Sequence, residues 1–234
     1  MQLKSVKPSS LLYLIYNRGM KVIPREARRI TYSTEIRALK KVPFSSKQLS
    51  IIQGSLLGDG CLHKSWSGKN YRFAKTHSIK QREYVELVYK NLKPFILTPP
   101  VLYEPVQSLK LRTISHPELT KLRKIFYPQG LKNLPSNMGS IIKDPLALAV
   151  WFMDDGNIVV RSGKVIGYNL NTHSFSQQEN ELIIKLFERL YGVSFKLDKN
   201  KGKFRLAVWK KLSRELFRDI IKKYILSSMQ YKLG

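Results

Sequence analysis

The chain matches itself at a constant offset of 96 residues. Asp59-Gly60 recurs as Asp155-Gly156, and Thr76-His77-Ser78 recurs as Thr172-His173-Ser174. Gln81 and Glu83 in the first copy become Gln177 and Glu179 in the second. Asp-Gly stands 17 residues before Thr-His-Ser in both copies, with no gap, in a chain of 234 residues that holds six Asp and four His. Chance does not readily produce that agreement. A repeat of this length is a duplicated domain-sized unit. It divides the chain into a stretch at 1–45, a first unit at 46–140 and a second at 141–234.

Local patterning repeats as well. Residues 46–57 (SKQLSIIQGSLL) read as a helix capped by Ser45 or Ser46 and stopped at Gly58-Asp59-Gly60. Gly60 to Trp66 and Tyr71 to Thr76 read as strands around the turn Ser67-Gly68-Lys69-Asn70. Lys80 to Leu92 has helical apolar spacing, short strands follow at 101–103 and 109–114, and Pro117 suits the first turn of a helix to Tyr127. The second half replays this with helices at 145–153, 176–191 and 211–225 and strands at 158–161, 165–171, 193–197 and 204–209. Each unit is therefore αββαββα, a mixed α/β (α+β) class with two pseudo-symmetric units in one chain.

Charge names the kind of partner. Lys and Arg number 42 against 16 Asp and Glu, a net charge of +26, while 43% apolar residues suffice for a core. This is a folded cation suited to a polyanion, not a disordered basic tail. Cys61 is the only cysteine, so an intramolecular disulfide framework and a Cys-rich zinc site are both excluded. No run approaches the ~18 apolar residues of a membrane span, and Leu11 to Tyr16 lacks the flanks of a secretory signal. Residues 1–45 carry ten Lys or Arg and two acids. They suit either a transit peptide or an arm lying on nucleic acid.

Two carboxylates then stand out. Asp59 and Asp155 are the only aspartates followed directly by glycine, and each closes a mostly apolar helix. Side-by-side packing of those helices would bring two like charges to one point, where a divalent cation would relieve their repulsion. Gly54 sits inside the first helix, where it costs ~1 kcal/mol against Ala in propensity; close helix approach would offset that cost.

Residues 52–60 (IQGSLLGDG) and 148–156 (LAVWFMDDG) resemble the paired LAGLIDADG motifs of single-chain homing endonucleases, with the likeness running over about 46 to 233. That resemblance implies a saddle of antiparallel sheets over a central two-helix interface. It also implies a monomeric, metal-dependent, site-specific nuclease that cuts both strands of a long asymmetric DNA site, and an organelle as the compartment. Asp59 and Asp155 are the implied ligands of Mg2+, with Mn2+ able to substitute and Ca2+ able to occupy the site without supporting cleavage. Gly58 and Asp154 adjoin them as further metal-site positions. Leu57 and Met153 replace the motif's first aspartate, which is not the metal ligand, and Val150 stands where the first motif has Gly54. The family's late basic residue matches Lys132 in Gly130-Leu131-Lys132-Asn133-Leu134-Pro135 and Lys232 in Gln230-Tyr231-Lys232-Leu233, at 73 and 77 residues after the aspartates.

In the same picture the sheets lie along the DNA grooves. The candidate contacts are Lys64, Lys69, Arg72, Lys75, Lys110 and Arg112 in the first unit. In the second they are Arg161, Lys164, Asn169, Asn171, Lys196, Lys199, Lys201, Lys203 and Arg205. His77 and His173 read as strand-end or capping residues, with Ser78 and Ser174 as caps, while His63 and His116 have no evident partner and Cys61 is expected to pack beside the aspartates. Three other functions compete. A maturase would keep the scaffold for binding intron RNA. A ribosomal-type RNA-binding protein explains the charge but not the duplicated Asp-Gly. An aspartic protease needs Asp-Thr/Ser-Gly, which is absent here.

Overall fold

A computed structural model describes residues 33–234 except 66–67. Most of the basic stretch at 1–45 and part of the first hairpin turn therefore lie outside the described residues. The last part of that stretch folds onto the first unit. Helix α1 (Thr34–Leu39) buries Ile36, and Phe44 packs on Phe95 and His116 at 4.4 and 4.6 Å between ring centroids.

In the first unit, α2 (Ser46–Leu57) leads through a turn to β1 (Cys61–Lys64) and β2 (Tyr71–Ser78). Then come α3 (Arg82–Leu92), β3 (Val101–Tyr103), β4 (Ser108–Arg112) and α4 (Pro117–Phe126). A short helix that patterning does not reveal, α5 (Met138–Ile142), precedes the second unit. That unit runs α6 (Pro145–Asp155), β5 (Gly156–Arg161), β6 (Lys164–Leu170), α7 (Gln177–Tyr191), β7 (Lys196–Asn200), β8 (Lys203–Val208) and α8 (Lys211–Ile221). The units have matching antiparallel sheets, ordered β1-β2-β4-β3 and β5-β6-β8-β7.

The caps follow the sequence. Ser45 and Gln48 form a reciprocal capping box on α2, as Ser176 and Glu179 do on α7, each satisfying otherwise orphaned backbone N–H groups. Ser176, not Ser174, therefore caps α7, whereas Ser78 caps the 3-10 turn before α3. His116 has partners after all: Nδ1 accepts from the Glu118 N–H that opens α4, and Nε2 donates to the Val42 carbonyl. In α6 every residue from Ala147 to Met153 is buried. An apolar helix surrounded in this way forms the spine of the core.

The duplication has one structural irregularity. In β2 the inward residues are Phe73, Lys75 and His77, with Phe73 paired to Leu62. In β6 they are Tyr168 and Leu170; the Tyr168 ring meets Phe152 and Phe217, and a β-bulge interrupts β5 between Val159 and Val160. Inward positions thus fall on odd numbers in one unit and even numbers in the other. The matching Thr-His-Ser motifs consequently do not present their side chains alike, since a shift of one residue reverses a strand's faces.

Candidate active site at the helix ends

Helices α2 and α6 lie against each other at a distance only glycine allows. A Cβ on Gly54 would fall 2.4 Å from the Ala147 carbonyl oxygen and 2.9 Å from Val150 Cβ. One turn on, a Cβ on Gly58 would fall 2.4 Å from Asp154 Cβ. Val150 and Asp154 are the residues that the 96-residue offset assigns to Gly54 and Gly58. Each glycine therefore accommodates its own larger counterpart, and the contact is close but not symmetric. At the other end, Asp144 caps α6 by accepting from the Leu146 and Ala147 N–H groups and receives the Ser50 hydroxyl from α2.

The packed helices end on the two acids. Asp59 sits in the turn after α2 with its side chain 49% exposed, and Asp155 is the last residue of α6. Burial first, then the neighbouring charges of Asp59 and Asp154, push the Asp155 carboxyl up to about 7, against the opposing pull of Lys132 and Lys232. Both late lysines arrive at the helix ends. Lys132 Nζ donates to the Leu57 and Gly58 carbonyls at 2.7 and 3.0 Å, and Lys232 Nζ donates to the Met153 and Asp154 carbonyls at 2.5 and 3.4 Å. Leu57 and Met153, like Gly58 and Asp154, are equivalent under the offset, so this arrangement is duplicated. Each ammonium neutralises carbonyls left unpaired at a helix C-terminus. Burial pulls both lysines below their ordinary pKa, while the three aspartates oppose that shift.

Carboxylate and carbonyl oxygens form a hard donor set that fits Mg2+, Mn2+ or Ca2+, and a cation there would relieve the repulsion that adds to burial in raising Asp155. Among the described residues, Asp59, His77 and Asp154 bring ligand atoms within 4.8 Å of one another. Asp154, an expected metal-site position, has its carboxylate engaged by protein groups. Its side chain is inaccessible, and its oxygens receive Lys75 Nζ at 2.8 Å, Tyr84 hydroxyl at 2.7 Å and the Asp59 N–H at 3.2 Å, with His77 Nε2 at 3.1 Å. Although burial opposes it, the Lys75 and His77 groups hold the Asp154 carboxyl below its ordinary value. The Gly58 carbonyl is likewise engaged by Lys132.

Lys75 lies inside the protein, not on its surface. A candidate DNA contact by sequence, it is fully buried, with Nζ donating to Ser55, Tyr84 and Asp154. Its odd position in β2 points it inward beside Phe73. Asn169 is also buried. Asn171 donates to Asn157, and Arg205 pairs with Asp198 at 2.7 Å. Lys64, Lys69, Lys110, Arg112, Arg161, Lys164, Lys196, Lys199, Lys201 and Lys203 are exposed, and Arg72 is partly so.

His77 does more than end a strand: its Nε2 lies 3.7 Å from an Asp59 oxygen, and its Nδ1 is 2.9 Å from Gln81. His173 makes no such approach, and its Nε2 is buried without a hydrogen-bond partner. The histidines therefore are not equivalent. Burial raises the Cys61 thiol pKa against the pull of Lys132, and its Sγ lies 3.1 Å from His63 Nε2.

Residues 49–216 match the family described as LAGLIDADG DNA endonuclease. The chain belongs to that family. Among its relatives, a cytochrome b mRNA maturase bI2 from Debaryomyces hansenii is 28% identical across 82% of this chain and 75% of its own length. The DNA endonuclease I-ChuI of Chlamydomonas applanata is 27% identical across 81% of this chain and 95% of its own. The homing endonuclease I-WcaI, solved bound to its DNA recognition sequence, has the same fold with a TM-score of 0.79 and 23% identity, covering 92% of this chain and 96% of that one.

Proposed function

We propose that this LAGLIDADG protein is an intron-type homing endonuclease that hydrolyses both strands of a long, asymmetric double-stranded DNA site. The observation that carries this reading is the duplicated pair of a helix-end aspartate and an anchored lysine: Asp59 with Lys132, and Asp155 with Lys232. Asp59 and Asp155 would hold Mg2+, for which Mn2+ can substitute, while Ca2+ would bind without supporting cleavage. Such a cation lowers the pKa of bound water and offsets charge on the phosphate. Lys132 and Lys232 each use two of three ammonium hydrogens on helix carbonyls, leaving one donor for the developing phosphorane charge. The exposed cations of the two sheets supply the groove and phosphate contacts. One copy contains both half-sites, so the active species is a monomer, working in an organelle.

In the presence of Mg2+, the protein linearises a plasmid carrying its site, and Asp59→Asn or Asp155→Asn abolishes linearisation. The bI2 relative favours one second reading, an intron-RNA maturase. An intact plasmid together with tight binding to the host intron RNA would transfer the assignment to that activity.

A further inference from the structure

The backbone of Asp59 is held by a carboxylate from the opposite unit. The Asp59 N–H donates across the helix contact to Asp154 Oδ2 at 3.2 Å. Asp154 is fixed in turn by Lys75 Nζ, Tyr84 hydroxyl and His77 Nε2, all from the first unit. His77 also stands 3.7 Å from the Asp59 carboxylate. No reciprocal arrangement exists, because the position equivalent to Asp154 is Gly58, where even a Cβ would strike Asp154. In the second unit the corresponding strand end holds a neutral pair instead, Thr172 with Asn180. Asp155 is carried on the regular last turn of α6, whereas Asp59 lies in the turn beyond α2 and is held from outside.

We propose that Asp154, held by Lys75, is a positioning residue for Asp59, and that this one-sided support makes the two half-sites unequal, so that the strands of the duplex are broken at different rates. The contact that orients Asp59 is a backbone hydrogen bond to a charged carboxylate, stronger than one between neutral groups. Its loss converts to a rate change of about tenfold or more at the half-site it serves. Tyr84 and Ser55 complete the shell around Lys75, so the ammonium and the carboxylate are both fully satisfied. A network with every member paired is rigid, as a positioning element requires.

The strand-rate part of this inference rests on the endonuclease reading; the positioning part does not. Two measurements on the full chain separate them. The first uses a target duplex labelled on each strand in turn, comparing single-strand rates for the wild type, D154N and the double variant K75M/D154L. The double variant removes both charges together, so the fold is not left with a buried unpaired ion. The wild type should cut its strands at unequal rates, and both variants should shift the ratio about tenfold by slowing one strand. Equal wild-type rates, or a uniform fall on both strands, would overturn unequal half-sites. The second measurement is amide hydrogen exchange of Asp59 read by NMR in metal-free protein. Protection should be present in the wild type and lost in K75M/D154L, with α6 amides unchanged. An Asp59 amide that exchanges equally fast in both proteins would overturn the positioning role even if no DNA is cut. A wild type that protects that amide yet cuts nothing would sink the nuclease reading and leave Asp154's positioning of Asp59 supported.

Discussion

At the scale of single residues, Asp155 pits stability against function. Its folded-state pKa is raised to about 7, while an unfolded aspartate titrates near 3.9. Between those values the folded protein holds a proton that the unfolded chain has released. Stability therefore declines as pH rises from about 4, and the loss is complete only above about 7. In metal-free protein the resulting burden at pH 8 is a few kcal/mol. Asp155→Asn should melt higher than the wild type at pH 8 and close to it at pH 4, while losing cleavage. Added Mg2+ should raise the wild-type melting temperature at pH 8 more than that of the variant. Thermal melts across pH, with and without Mg2+, provide the check, and parallel pH profiles for the two proteins would contradict the electrostatic origin. Asp59 and Asp155 are legible in the sequence because the duplication repeats their context, whereas Lys132 and Lys232 fall outside the constant offset and are legible only through the family resemblance. Lys75, His77 and Tyr84 are not, because their meaning depends on which way a strand faces. A lysine at a core-facing strand position calls for a buried anion, and Asp154, the extra acid beside Asp155, is the signal that supplies it.

At the scale of elements, the helix pair is legible in the sequence and its asymmetry only partly so. Gly54 inside α2 announces a close approach, and Val150 at the equivalent position announces that the two sides differ. That Gly58 and Asp154 form a second small-to-large pair emerges only when the helices are set face to face, since neither residue is unusual alone. The obstacles at the two glycines differ in kind. At Gly54 an added methyl meets the Ala147 backbone oxygen; at Gly58 it meets the Asp154 side chain. Gly54→Ala should destabilise by ~1–3 kcal/mol, and Val150→Gly should not rescue it, because the opposing group is main chain. Urea unfolding of the single and double variants measures this, and full recovery in the double variant would place the constraint in the Val150 side chain instead. Cleavage should fall further than stability predicts, since spreading α2 from α6 separates the carboxylates at their ends. Patterning conveys the strands in number and order, but not the bulge in β5 or the reversed facing of β6, because alternation in a half-exposed strand leaves register to the turn that precedes it.

At the scale of the whole molecule, a net charge of +26 is arranged around a centre that is locally acidic. Asp59, Asp154 and Asp155 are three of only 16 carboxylates in the chain, and they gather at the helix ends while exposed cations line the sheets. The hairpin of β7 and β8 carries Lys199, Lys201 and Lys203 at its exposed tip, with Lys201 in a left-handed turn at φ 49°. An exposed cationic tip suits phosphate binding, which adds affinity without adding sequence information. Each phosphate neutralised by a lysine steepens the fall of log binding constant with log salt by about 0.9. Replacing Lys199, Lys201 and Lys203 together by Ala should therefore flatten the salt dependence by about 0.9 for every one of them that sits on a phosphate. The effect should be equal on target and unrelated duplexes and leave the ratio between those affinities unchanged. Binding titrations in Ca2+, which keep the DNA whole, read both quantities at once. A collapse of the target preference with the salt slope intact would mean that these lysines read bases, and the phosphates would then have to be held by other cations such as Lys110, Arg112, Arg161 and Lys164.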